Sequence, residues 1–178
     1  MSGSITTATL ADVAAGTWTL DAARSTVAFR HKTMWGLVPV KGVFTDVTGQ
    51  AEAAGSGSGH GALVIAAASI DTKNKKRDVH LRSADFFDVE KYPEIVFTAS
   101  EITTTGPDTA DVHGELMVRG ITKPVKLGAR AADIGADGIT LVVDIEFDRA
   151  DFLMSWNQIG MIVGRTTVSV SARFTPAS

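Results

Sequence analysis

The side chains able to do chemistry in this sequence fall into three groups: four histidines, one basic run and one row of alternating carboxylates. His31, His60, His80 and His113 are scattered, with no pair at helical or strand spacing and no carboxylate cluster beside them. A metal site needs ligands that such spacing would bring together, so no metal is expected and the histidines read as surface or hydrogen-bonded core residues. Asp144, Glu146 and Asp148 alternate along one strand face. That pattern could serve acid–base work or a hard cation, but it is more simply the solvated face of a strand. Lys73, Lys75, Lys76, Arg77, His80 and Arg82 crowd donors into ten residues. They suit recognition of a phosphate, a pyrophosphate or a hydroxyl-bearing head group, and equally a solvated helix face neutralised by Asp71, Asp78 and Asp85.

Covalent catalysis finds little support. There is no cysteine, which removes thiolate nucleophiles, disulfides and sulfur-ligated metals. There is no Gly-x-Ser-x-Gly elbow, and the hydroxyls sit mainly at strand positions. The glycine-rich stretch from Ala53 to Gly61 matches neither the Rossmann nor the Walker spacing and precedes an apolar strand rather than a helix. It reads as a flexible tip between strands. Trp35, within Met34-Trp35-Gly36-Leu37, and Trp156, within Phe152-Leu153-Met154-Ser155-Trp156, belong to clusters of large, adaptable side chains that suit a pocket mouth or a core.

The elements that must position these groups are mostly strands. Ile139, Leu141, Val143, Ile145 and Phe147 alternate with Thr140, Val142, Asp144, Glu146 and Asp148, and Val168, Val170, Ala172 and Phe174 alternate with Thr167, Ser169, Ser171 and Arg173. A period of two with one apolar face predicts antiparallel strands packed on one side. Further strands are expected at Trp18 to Leu20, Thr26 to Lys32, Val38 to Asp46, Ala62 to Ser69, Glu94 to Glu101, Thr109 to Val118 and Thr122 to Ala129. Eight or nine strands are enough to close a barrel. Gly106-Pro107-Asp108 and Gly135-Ala136-Asp137-Gly138 read as hairpin turns. One interruption, Asp71 to Tyr92, predicts a helix capped by Asp71 or Thr72 and running through Ser83, then a short turn carrying Phe86 and Phe87. Its apolar residues must pack on the barrel rim, as a lid would.

The chain has 178 residues, of which 44% are hydrophobic and 21% charged, so a packed core is expected within one domain over 17–178, preceded by a flexible arm over 1–16. The net charge of −3 offers no general attraction to nucleic acid. The first basic residue is Arg24, no secretory n-region is visible, and no apolar run approaches the roughly 20 residues of a membrane helix. A cytoplasmic location without stable membrane insertion is the resulting expectation.

One segment is more specific. Arg77-Asp78-Val79-His80-Leu81-Arg82-Ser83-Ala84-Asp85-Phe86-Phe87-Asp88-Val89, followed by Tyr92-Pro93-Glu94-Ile95-Val96-Phe97, resembles the signature of the YceI-like family. Trp18-Thr19-Leu20-Asp21 with Ser25 and Phe29, Val40-Lys41-Gly42-Val43-Phe44, and Gly114-Glu115-Leu116-Met117-Val118-Arg119-Gly120-Ile121-Thr122-Lys123-Pro124-Val125 extend the resemblance to the C-terminus. Arg24 stands where the family often has His, and His31 falls two residues before the family's usual His. The resemblance implies an all-β, lipocalin-like extended antiparallel barrel of about eight strands, with a helical insertion near residues 72–90. It also implies a frequent homodimer and a cavity for polyisoprenoid chains or similar amphiphilic lipids, with no catalytic residue and no cofactor.

Combined with the alternation, this leads to an expected tunnel lined by Phe29, Phe97, Leu116, Val118, Val143, Ile145 and Phe147. Leu81, Phe86, Trp35 and Trp156 would close it, with Phe152 and Met154 nearby, and Arg77, His80 and Arg82 would meet a polar head such as a polyprenyl phosphate or an isoprenoid quinone, with His31 also among the ligand-binding residues. Two other readings stay open: a lipid-modifying enzyme using His31 or His80 as a general base, and a solidly filled barrel acting as a protein-interaction module.

Overall fold

The computed structural model describes residues 8–33, 37–152, 154 and 163–177; Trp35 and Trp156, both expected at the rim, lie outside the described residues. Among the described residues there are eleven strands: β1 (Gly16–Leu20), β2 (Thr26–Thr33), β3 (Val38–Phe44), β4 (Val47–Ala53), β5 (Ser58–Ala66), β6 (Ile70–Asp71), β7 (Glu94–Thr104), β8 (Thr109–Val118), β9 (Ile121–Gly135), β10 (Gly138–Phe147) and β11 (Val163–Pro176). Helix α1 (Lys75–Arg82) lies between β6 and β7.

The strands pair in the order β1-β4-β5-β7-β8-β9-β10-β11, and β11 returns to β1, which closes an eight-stranded antiparallel barrel. Every pairing is antiparallel, and closure leaves the ring without a free edge. The barrel is extended at one end because β11 is long. Its last residues pair with β1 (Leu20↔Phe174), whereas Val163 to Ser171 pair with β2 on the same edge, and β2 carries β3 and β6 in turn. The end built from β2, β3, β6 and α1 is the mouth; the opposite end, where β1 meets β4, is the base.

The alternations read from the sequence place their apolar residues inside. On β10, Ile139, Ile145 and Phe147 are buried while Asp144 and Glu146 are exposed; on β11, Val170, Ala172 and Phe174 are buried. Arg173 departs from the pattern: it is buried on the outer face, where Nη1 donates to Asp133 Oδ2 at 2.7 Å.

Several boundaries differ from expectation, β7 and β9 among them, which run on to Thr104 and Gly135. The strand expected over Val38 to Asp46 ends at Phe44, and β4, a strand not expected from the sequence, begins at Val47. β4, reading Val-Thr-Gly-Gln-Ala-Glu-Ala, has little strand propensity of its own and is ordered by pairing with β1 on one side and β5 on the other. The glycine-rich stretch is mostly strand: β5 begins at Ser58, and only residues 54–57 make the turn. Helix α1 is shorter than expected. Asn74, not Asp71 or Thr72, is its N-cap and accepts from the Arg77 amide at 3.0 Å. Asp78 takes Thr72 instead, accepting from its amide at 3.0 Å. Both expected hairpin turns form, and a third tight turn at Arg119-Gly120 has φ of 55° and 71°, the type I′ geometry that matches strand twist.

Residues 10–12 form a single 3₁₀ turn at the base, with Leu10 buried and its amide donating to Pro107 O at 2.8 Å.

Candidate functional site

The interior is hollow. Inward residues leave a cavity of about 1170 Å³, counting the space at its opening, and its wall presents no polar atom. Phe29, Phe97, Leu116, Val118, Val143, Ile145 and Phe147 all lie on that wall. Strand geometry explains the set: residues two apart share a face, and in the register Phe97↔Leu116 and Phe29↔Val168 the inward positions stack level by level. Sequence reasoning left other wall residues unassigned to the tunnel. Leu63, Ile65 and Ile95 lie on it, as do Val168, Val170 and Phe174, whose alternation was legible.

Aromatic rings gather at the mouth. Phe29 and Phe44 have ring centroids 5.7 Å apart, and Phe44 meets Phe87 edge-on at 5.8 Å. Gly42 makes this possible: a Cβ there would lie 2.6 Å from the Phe29 ring. Phe87, rather than Phe86, reaches the cavity from the segment after α1. Phe86 is buried beside it, its ring edge-on to His80 at 5.1 Å. Two adjacent phenylalanines in a turn carry no periodicity, so their roles could not be separated in advance. Leu81 packs partly buried against the core without reaching the cavity wall. Phe152 and Met154 are buried, and Phe152 stacks edge-on against Phe147 at 5.5 Å, backing the wall rather than lining it.

The basic residues expected to meet a head group do not face the cavity. Arg77 donates through Nε and Nη2 to the Thr72 hydroxyl and carbonyl at 2.9 and 3.0 Å. Arg82 donates to the carbonyls of Ala68 and Ile70, each at 2.9 Å. These bonds pin α1 to the strand before it. His80 Nε2 lies 2.8 Å from Asp85 Oδ2 on the outer surface. The basic run is therefore a helix face engaged with its own backbone and solvent, one of the two readings the sequence left open.

His31 is placed differently. It follows Val27 and Phe29 on the inward face of β2 and is half-buried. Its Nδ1 is 2.9 Å from the hydroxyl of Thr166, a cavity-wall residue, and its Nε2 is buried with no hydrogen-bond partner among the described residues. Burial, and then the nearby Arg149 guanidinium, hold its pKa below the ordinary histidine value, so the ring is neutral at pH 7. Arg149 is itself partly desolvated and keeps its charge. His31, Thr166 and Arg149 thus form a small polar group next to an otherwise apolar space. Among the described residues no three His, Asp or Glu side chains are grouped so as to hold a metal ion, and no helix is long and apolar enough to cross a membrane.

Comparison with known proteins agrees with this architecture. A UPF0312 protein of Azotobacter vinelandii is 44% identical over 70 residues, 39% of this chain and 36% of its own. Protein YceI of Escherichia coli O17:K52:H18 is 43% identical over 75 residues, 42% of this chain and 39% of its own. The chain thus aligns with well under half the length of these relatives. Among solved structures, Burkholderia cenocepacia BcnA superposes with a TM-score of 0.79 at 23% identity, covering 86% of this chain and 98% of that one. A polyisoprenoid binding domain from Saccharophagus degradans, implicated in plant cell wall breakdown, superposes with a TM-score of 0.72 at 18% identity over 90% and 98% of the two chains. At these identities the superpositions speak for the fold, while the YceI-like domain matches residues 18–175, from the first barrel strand almost to the last residue of β11. With that match spanning the whole closed barrel, the chain belongs to the YceI-like domain family.

Proposed function

We propose that the barrel binds a long-chain amphiphilic lipid, with its tail in the cavity and its head at the mouth, and that the protein stores or carries this lipid. A polyisoprenoid, as a polyprenyl phosphate or an isoprenoid quinone, is the ligand class we favour. The observation that carries the reading is the hollow interior with no polar atom on its wall. An apolar cavity of this kind offers water no hydrogen-bond partners, so a hydrocarbon tail is the better occupant. Each methylene buried is worth about 0.8 kcal/mol, enough for a long tail to bind well with few polar contacts. Membership of the YceI-like family and the fold shared with a polyisoprenoid binding domain support the same class. The hollow also speaks against the filled-barrel alternative.

For the head, the group around His31 is better placed than α1. Thr166 lies on the cavity wall with His31 and Arg149 grouped beside it, so side-chain rotation would bring their polar atoms to a carbonyl or phosphoryl oxygen. An enzymatic role for His80 finds no support in its position, since it pairs with Asp85 away from the cavity.

Organic extraction of the purified protein, followed by mass spectrometry, tests the reading. The expected result is a stoichiometric prenyl lipid. A barrel that is reproducibly empty and takes up no added prenylquinone or polyprenyl phosphate would overturn it.

A further inference from the structure

The hollow continues past its widest part. A second, mainly apolar space of about 670 Å³, counting its opening, lies at the base of the barrel. The two spaces share six wall residues, Ala51, Ile102, Val112, Ala129, Leu141 and Phe174, one from each of six strands. They form a neck. Two of the six are alanines on β4 and β9, and any larger side chain at either would project into the passage between the chambers.

The far chamber is stopped by the chain's own N-terminal segment. Leu10, Val13 and Trp18 line it, and Leu10 is only 7% exposed. The segment is tied to the barrel by the Leu10 amide, which donates to Pro107 O at 2.8 Å, and by the Trp18 indole N–H, which donates to Ala14 O at 3.0 Å; the Thr9 amide, donating to Asp12 Oδ2 at 2.7 Å, closes its own turn. The Thr104 hydroxyl, on the same wall, is satisfied by donating to Gly57 O. Residues 9–15 therefore act as a stopper whose apolar tip points toward the neck.

We propose that the tail of a bound lipid passes the neck into the basal chamber, and that Ala51, Ala129 and the Leu10 stopper set the longest tail the protein retains. This rests on the lipid-binding reading and adds a length rule to it. The discriminated chemistry is a flexible hydrocarbon chain, because neither neck nor stopper offers a buried charge to read a head group.

The test offers the purified chain an equimolar ladder of prenylquinones of increasing side-chain length and reads the retained species by native mass spectrometry. Ala129→Phe blocks the neck, and Ala51→Leu narrows it from the opposite wall should the first variant fail to fold. Either is expected to shift the retained ligands to shorter tails, with at least about tenfold less of the longest one, since excluding a single isoprene unit forfeits several buried carbons. Leu10→Ala is expected to shift the distribution the other way. Folded neck and stopper variants that retain the wild-type length profile would overturn the length rule while leaving lipid binding intact. Absence of any prenylquinone on wild type and variants alike would refute the lipid reading and the length rule together.

Discussion

His31 concentrates the chemistry left at the mouth of this barrel. Its Nε2 is buried and has no hydrogen-bond partner among the described residues. Its pKa is depressed by burial first and by Arg149 second. The sign of the linkage follows: the unfolded chain binds a proton near the ordinary value of 6.5 and the folded chain only at lower pH. The contribution of a neutral His31 to stability is therefore complete above about pH 6.5 and is lost as pH falls through the interval below it. Thermal unfolding of wild type and His31→Gln between neutral pH and about pH 5 checks this, the variant losing less stability on acidification. At the same site, Arg149→Met and Thr166→Val are expected to weaken binding of a prenyl lipid about tenfold or more without changing which tail lengths are held. Titration with a prenylquinone reads both effects.

At the scale of elements, the mouth is shaped by a short helix that could not hold its place alone. α1 is too brief to be stable in isolation and is fastened by its Asn74 cap and by the Arg77 and Arg82 bonds to the backbone before it. Asn74→Ala is expected to cost about 1 kcal/mol, measured by urea denaturation. The β8–β9 turn is more demanding. Gly120 has φ of 71°, and a Cβ there would lie 2.7 Å from the Tyr92 ring, so the turn is locked against the segment that delivers Phe87 to the cavity. Gly120→Ala is expected to destabilise by about 1–2 kcal/mol through backbone strain, and more if Tyr92 cannot move. Because Tyr92 follows that segment directly, the same variant should also loosen it, read as faster hydrogen exchange across residues 83–92.

For the whole molecule, closure and hollowness have to be considered together. Eight strands ring a space that their inward side chains do not fill, and such unfilled volume forfeits dispersion contacts that a packed core would supply. Filling it should thus separate stability from binding. Val143→Trp, directed into the cavity, is expected to abolish uptake of a prenylquinone while leaving the unfolding temperature close to or above that of the empty wild type. Conversely, added ligand should raise the unfolding temperature of wild type in proportion to the logarithm of its concentration and leave that of the variant unchanged. Differential scanning calorimetry with and without ligand measures both outcomes.

The alternations at Ile139–Phe147 and Val168–Phe174 determine by themselves which side chains face inward, because a strand has a period of two and water rewards only one sorting of its faces. Barrel class, hairpin turns and most of the tunnel wall follow from that local rule. Three features could not follow from it. β4 is a strand only because partners on both sides complete its hydrogen bonds, whatever its own residues prefer. The donors of Arg77 and Arg82 point to carbonyls of the preceding segment rather than to the cavity, a matter of where α1 docks. And Leu10, in a stretch with no amphipathic pattern, becomes the stopper of the base because Pro107, distant in sequence, offers its carbonyl there. Inward or outward is decided residue by residue along a strand, whereas the partner of a group and the volume left between groups depend on how distant segments come together.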